Sequence, residues 1–185
     1  MPRKVYVETT VISYLAARPS RDLIVAARQQ LTHTWWRDRR PSFDVYVSQL
    51  VLAEAQAGDA QAAARRAALL KDLPVLDIVP EVAELAATLV EQVQLPPKAG
   101  ADATHIALAA YHRMDFLIAW NVAHIANAVL RQCVEQVCRD AGCRPHTRVR
   151  GALNSRFPDR RGVAERHRRR RGVRLWPVRP SRTAG

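Results

Sequence analysis

The chain opens on a short apolar segment that ends in a carboxylate, Arg3-Lys4-Val5-Tyr6-Val7-Glu8. Its β-branched and aromatic residues predict a β-strand over residues 3–8. Three similar segments follow at residues 44–47, 74–79 and 115–120, and helical patterns separate them. Short apolar strands that alternate with longer helices are typical of a parallel sheet covered by helices. The sequence therefore predicts a three-layer α/β/α sandwich with a central parallel sheet.

Capping residues predict where three of the helices begin. Ser20, Ser48 and Asp59 each precede a helical pattern, and their side-chain oxygens can accept hydrogen bonds from the first turn. We predict helices after them over residues 21–38, 49–57 and 60–72. The same patterns predict further helices over residues 11–17, 80–94, 101–112 and 121–137.

The composition excludes several classes of protein. The 185 residues are 48% hydrophobic and 25% charged, which is ordinary for a globular protein and not for a collagen or a disordered chain. No apolar run approaches the roughly 20 residues that span a bilayer, so we expect no membrane partner. Three cysteines do not suggest a disulfide framework, and we expect a cytoplasmic location. The sequence also lacks a glycine-rich phosphate-binding loop.

The excess positive charge is confined to the end of the chain. Residues 1–143 carry 15 basic and 15 acidic residues, whereas residues 144–185 carry 14 arginines and two acids, which accounts for the whole net charge of +12. We therefore predict a folded domain over 1–143 and an Arg-rich, disordered tail over 144–185. The tail could be an RNA-binding arm, an ordered extension or a segment read out of frame. Its content of Arg, Gly, Pro and Ala favours the out-of-frame interpretation.

Four polar residues are predicted to lie near the carboxyl ends of the strands, where parallel sheets bind ligands. Glu8 and Asn121 end the first and fourth strands, Asp102 lies in the first turn of a helix, and Glu54 lies in an apolar helix. Each has a structural alternative: an ion pair for Glu8, a half-exposed position for Glu54, a helix start for Asp102 and an N-cap for Asn121. A buried carboxylate needs a partner, and the carboxylates of Glu8, Glu54 and Asp102 would repel one another. A divalent cation bound between them would offset that repulsion. Oxygen ligands suit Mg²⁺ or Mn²⁺.

Two neighbours of these residues could support a metal site. Thr9 adjoins Glu8, and His105 follows Asp102 by one helical turn. Either side chain could hydrogen-bond a metal ligand. The alternatives are a turn hydroxyl for Thr9 and a hydrogen-bonded core or cleft histidine for His105.

Four segments in the chain match one family in order and spacing: VYVETTVISY at 5–14, SQLVLAE at 48–54, ADATHIALA at 101–109 and LIAWNVAHIANA at 117–128. They resemble the PIN domain family, and within it the VapC-like toxins of bacterial toxin–antitoxin pairs, over about residues 3–140. The resemblance implies a Mg²⁺- or Mn²⁺-dependent endoribonuclease. Glu8, Glu54 and Asp102 would hold the metal, and Asn121 would be the fourth polar residue of the catalytic site.

The resemblance also implies partners. An RNA substrate, a cognate antitoxin protein and a homodimer are expected, with Trp35, Trp36 and Tyr46 supplying apolar surface for pairing. Two residues depart from the family pattern: Glu8 stands where Asp is commonest, and Ala119 where Thr usually precedes Trp-Asn. These departures leave an alternative to an active enzyme, an inactive PIN-fold module that binds RNA or protein. A third possibility is a non-functional remnant, if the tail marks a disrupted gene.

Overall fold

Five parallel β-strands form the centre of the fold. A computed structural model describes residues 2–93, 99–120, 128–143 and 149–151, all within the structural unit Met1–Leu153. The strand order across the sheet is β3-β2-β1-β4-β5. The strands are β1 (Arg3–Val7), β2 (Phe43–Ser48), β3 (Val75–Leu76), β4 (Phe116–Ala119) and β5 (Val149–Gly151).

Helices flank this sheet, and the predicted α/β/α class is confirmed. A short 3₁₀ turn, Arg40–Ser42, leads into β2. The helices are α1 (Thr9–Ala16), α2 (Leu23–Asp38), α3 (Gln49–Ala55), α4 (Ala60–Leu70), α5 (Pro80–Gln92), α6 (Gly100–Tyr111) and α7 (Ala128–Asp140). None of the helices in the described ranges is long and apolar enough to cross a membrane.

The central strand β1 brings distant parts of the chain together. Val5 pairs with Val45 of β2 on one side and with Phe116 of β4 on the other. Val5, Tyr6 and Val7 are fully buried, as expected for a parallel strand covered on both faces. The carboxyl ends of the strands therefore share one edge of the sheet, where polar side chains from separate segments can meet.

Two of the three predicted caps are confirmed, and one is wrong. Ser48 accepts a hydrogen bond from the Val51 N–H at the start of α3, and Asp59 does the same for α4. Helix α2 is capped by Asp22, which accepts from the Val25 N–H at 2.8 Å. Ser20 instead accepts from the N–H of Asp22 at 3.1 Å. The predicted cap was displaced by two residues because both side chains can accept such hydrogen bonds, and the serine forms the turn before the helix.

The fifth strand lies in the segment that the sequence assigned to the tail. Val149, Arg150 and Gly151 pair in parallel with residues 117–119 of β4. The expectation of disorder from residue 144 onward is therefore wrong for these three residues. They form a strand because the backbone of β4 offers an edge to pair with, and a short edge strand does not need an apolar face of its own. Residues 152–185 of the predicted tail lie outside the described residues.

Trp35 belongs to the core and not to the surface. Only 3% of it is exposed, and its ring stacks on Phe43 with a centroid separation of 6.3 Å. The expectation that Trp35 supplies apolar surface for a dimer is therefore wrong, because the hydrophobic core has already removed it from water. Trp36 and Tyr46 are half-buried.

Candidate metal centre

Three ionisable side chains meet near the carboxyl ends of the central strands. Glu8 follows β1 directly, Glu54 lies in α3 after β2, and His105 lies in α6. One ligand atom from each lies within 4.8 Å of the other two. The Nε2 atom of His105 is 3.3 Å from Oε2 of Glu54 and 4.0 Å from Oε1 of Glu8. We call these three residues the EEH cluster.

Glu8 is held by the start of the helix that follows it. Its side chain caps α1 by accepting hydrogen bonds from the backbone N–H of Thr10, at 3.0 Å, and from the Thr10 hydroxyl. Only 8% of Glu8 is exposed. Burial raises the pKa of this carboxyl, and the bonds from Thr10 and the nearby His105 only partly oppose it. The ionised form of Glu8 is thus costly unless a cation is close.

Glu54 is the more readily ionised of the two carboxyls. It is half-buried and accepts hydrogen bonds from the Thr9 hydroxyl and from His105. Burial raises its pKa, but the hydrogen bonds from His105 and Thr9 and the electrostatic attraction of the His105 ring outweigh this effect and lower the pKa overall. The EEH cluster therefore combines one stabilised carboxylate with one that burial disfavours.

A buried hydrogen-bond chain holds the other side of the His105 ring. Its Nδ1 lies 2.7 Å from the Tyr6 hydroxyl, which in turn lies 2.7 Å from Oγ of Ser48. Burial, together with the charges of Glu8 and Glu54, raises the pKa of Tyr6, so the phenol stays neutral. The sequence did not predict these hydrogen bonds between His105, Tyr6 and Ser48. The one indication in the sequence was Tyr6, a residue with a polar hydroxyl inside a strand predicted to be covered by helices.

The predicted site residues are only partly brought together. Glu8 and Glu54 meet as expected, and Thr9 and His105 each hydrogen-bond a candidate ligand, Glu54. Asp102 lies half-buried in the first turn of α6, one turn before His105, and within the described ranges it is not a member of the mutually close group. Asn121 lies outside the described residues. The predicted metal set of Glu8, Glu54 and Asp102 thus remains a prediction.

The donor set of the EEH cluster fits a divalent cation. Two carboxylates within 4.0 Å of the same imidazole nitrogen repel each other when both are ionised, and a cation between them would remove that cost. Carboxylate oxygens suit Mg²⁺ and Mn²⁺, and an imidazole nitrogen suits first-row transition metals. The cluster therefore has the chemistry of a metal site.

Comparison with known families identifies the fold. The model of the PIN domain family matches residues 5–121, a range that contains the EEH cluster and Asp102. The chain belongs to the PIN domain family. The resemblance seen in the four sequence segments is confirmed for this PIN domain, and the match spans four of its strands, β1 to β4.

Solved structures place this PIN domain beside bacterial toxins. One neighbour is VapC20 of Mycobacterium tuberculosis, described as a toxin that cleaves the sarcin–ricin loop, with a TM-score of 0.52 and 20% identity over 64% of this chain and 91% of that chain. Another is VapBC2 of Rickettsia felis, solved with a DNA fragment from its promoter, with a TM-score of 0.50 and 16% identity over 64% and 89% of the two chains. At these identities the likeness is one of fold. No curated protein gave a significant match.

Proposed function

We propose that the protein is a metal-dependent endoribonuclease and the toxin of a toxin–antitoxin pair. The observation that supports this proposal best is the EEH cluster, which lies at the carboxyl ends of the strands in a PIN domain. PIN domains are a nuclease family, and ligands of open parallel sheets bind at this edge. The fold that this chain shares with a VapC toxin supports the assignment to a toxin–antitoxin pair.

In this proposal Glu8, Glu54 and Asp102 hold Mg²⁺ or Mn²⁺, and Asn121 orients water or a phosphate oxygen. A bound divalent cation supplies charge to the phosphodiester in the transition state and makes a water molecule more acidic. The chain's own contribution is to fix the carboxylates. Thr10 holds Glu8, and Thr9 holds Glu54, so that neither carboxylate has to be reoriented when RNA binds.

The proposed partners are RNA, an antitoxin protein and a second copy of the chain, acting in the cytoplasm. The fold likeness to VapBC2 supports an antitoxin, because that toxin fold is found with an antitoxin. Pairing of two copies would use Trp36 and Tyr46 without the buried Trp35. The Arg-rich residues 144–185 would add sequence-independent affinity for RNA if they are part of the functional protein.

The test is RNA cleavage by the purified full chain. We expect cleavage with Mg²⁺ or Mn²⁺ and none with EDTA. The rate of RNA cleavage by Glu54→Gln should fall by at least about 100-fold while the protein stays folded, because the variant lacks the carboxylate that would bind the metal. Glu84→Gln, an exposed glutamate of α5, is the matched control and should cleave normally.

Two outcomes would contradict this proposal. Equal cleavage by Glu54→Gln and the natural sequence would remove the EEH cluster from the reaction. RNA binding without any cleavage, in Mg²⁺ or in Mn²⁺, would favour the alternative of an inactive binding module. The reason for that alternative is that Glu8 and Ala119 depart from the family pattern.

A further inference from the structure

We propose that His105 is a direct metal ligand through Nε2, and that the hydroxyls of Tyr6 and Ser48 form a reversible relay that permits it. The inference rests on the proposed metal-dependent function and adds to it a nitrogen donor. It also assigns a task to Tyr6 and Ser48, two buried polar residues that the proposed cleavage does not otherwise use.

The geometry directs the Nε2 edge of the imidazole at the carboxylates. His105 is 98% buried, since only 2% of it is exposed. Its Nε2 is the atom that lies 3.3 Å from Glu54 and 4.0 Å from Glu8. Nδ1 is 2.7 Å from the Tyr6 hydroxyl on the opposite side. A cation held by both carboxylates would therefore meet Nε2 and not Nδ1.

Without a cation, the hydrogen bonds of this chain can run in one direction. The Ser48 hydroxyl donates to the Tyr6 oxygen, and the Tyr6 hydroxyl donates to Nδ1 of His105. In this tautomer the ring proton lies on Nε2 and is donated to Glu54. Ser48 simultaneously accepts from the Val51 N–H at 3.3 Å, so each group of the chain has a partner.

With a cation, the hydrogen bonds between His105, Tyr6 and Ser48 can run in the opposite direction. Nδ1–H donates to the Tyr6 oxygen, and the Tyr6 hydroxyl donates to Ser48, which can accept from both Tyr6 and Val51. The lone pair of Nε2 is then free to bind the metal. The Nε2 proton is released to bulk water and Nδ1 takes one up from bulk water, so the ring carries the same number of protons in both states. The two hydroxyls rotate to follow this change of tautomer.

This arrangement matches the usual support of a metal-binding histidine. Such a histidine donates its second ring N–H to a polar partner, which fixes the tautomer and the ring orientation. Tyr6 is that partner here, and Ser48 holds Tyr6. Because imidazole binds first-row transition metals better than it binds Mg²⁺, the protein should prefer Mn²⁺ to Mg²⁺ by more than an all-oxygen site does.

The test is electron paramagnetic resonance of Mn²⁺ added to the full chain. We expect stoichiometric Mn²⁺ binding and a ¹⁴N coupling to the bound ion. The coupling should disappear in His105→Gln and persist in His33→Gln, a control at an exposed histidine of α2. Tyr6→Phe should keep the coupling but weaken Mn²⁺ binding about 10-fold or more. Tyr111→Phe, on the exposed end of α6, should leave the affinity unchanged. Circular dichroism of each variant checks its folding.

The outcomes separate this inference from the proposed function. Mn²⁺ binding without ¹⁴N coupling, or a coupling that survives in His105→Gln, would overturn the inference while metal-dependent RNA cleavage could still stand. An unchanged Mn²⁺ affinity in Tyr6→Phe would overturn the relay. A ¹⁴N coupling in a protein that cleaves no RNA would support the inference and contradict the nuclease. Absence of any Mn²⁺ binding would overturn both.

Discussion

The hydroxyl of Thr10 accepts a 2.8 Å hydrogen bond from the backbone N–H of Trp120, 110 residues further along the chain. The same hydroxyl donates to the carboxylate of Glu8. Thr10 thus connects the end of β4 to the first acidic residue of the EEH cluster. It also brings a hydroxyl next to Ala119, the position at which the family pattern usually has a threonine.

Replacement of Thr10 should therefore affect both stability and the metal site. Thr10→Val removes both hydroxyl bonds, leaves the Trp120 N–H without this partner and leaves the Glu8 side chain held by the backbone N–H of residue 10. We expect a loss of about 1–3 kcal/mol in the free energy of unfolding, together with weaker Mn²⁺ binding. Thr10→Ser keeps the hydroxyl and should retain most of both. Urea unfolding and Mn²⁺ titration measure the two effects, and equal behaviour of the Val and Ser variants would show that the hydroxyl is unimportant.

Neutralising Glu8 should stabilise the metal-free protein. Burial raises the pKa of Glu8 in the folded state, so ionisation at neutral pH works against folding. We expect the free energy of unfolding of Glu8→Gln to be about 1 kcal/mol higher than that of the natural sequence at pH 7 without metal. The variant should also lose metal binding. This gain in stability should reach its full size at pH values above the pKa of Glu8 in the folded state. It should vanish as the pH falls below the unfolded-state pKa of about 4.3, where the carboxyl is protonated in both states.

Glu84→Gln provides the comparison for this pH series, because Glu84 is exposed on α5. Its stability should follow that of the natural sequence at every pH. Urea unfolding with EDTA present, between pH 4 and pH 8, supplies both curves. A Glu8→Gln protein that is less stable at pH 7 would mean that the helix cap outweighs the burial of charge.

Divalent cations should raise the melting temperature. An ion that binds only the folded state adds about 2.7 kcal/mol at 100 times its dissociation constant, which corresponds to roughly 5 °C or more for a domain of this size. Glu54→Gln should lose most of this shift because it lacks one charged ligand. Thermal melts with Mn²⁺ and with EDTA measure it. A shift of the same size in Glu54→Gln would place the ion elsewhere.

Two truncations test where the folded body ends. A chain of residues 1–153 keeps β5, and we expect it to melt like the full chain. A chain of residues 1–143 loses β5, and we expect a lower melting temperature because residues 117–119 lose their strand partners. Both truncations should weaken salt-sensitive RNA binding, the 1–153 chain by removing 11 of the 14 tail arginines. Equal melting of the two truncations would make β5 dispensable.

The strands were the most predictable part of the fold. Apolar segments with β-branched residues located β1, β2 and β4 to within a residue or two, because each of these strands has buried apolar residues. The predicted strand at 74–79 was too long, and only Val75 and Leu76 pair. Strand β5 could not be found by the same signal, since three residues with an arginine at the centre carry no periodicity.

The site was less predictable than the fold. The placement of Glu8 and Glu54 at one edge of the sheet followed from the positions at which strands end and the next helices begin, which the sequence pattern indicates. Which side chain of α6 joins them depends on how that helix is rotated against the sheet, and residues 102 and 105 are both possible on one face. Tyr6 and His105 meet only through strand pairing and helix packing, and no local pattern of the sequence encodes that contact.

The pairing of β1 with β4 has a consequence for the timing of protein synthesis. The Glu8 N–H donates to the Ile118 carbonyl at 3.0 Å, so the side of β1 that faces β4 has no strand partner until a segment 110 residues later has been made. At about 5–20 residues per second, that interval lasts roughly 5–20 s. His105 is synthesised near its end. During elongation the ribosome therefore carries a chain whose EEH cluster is incomplete, because its histidine is made 51 residues after Glu54.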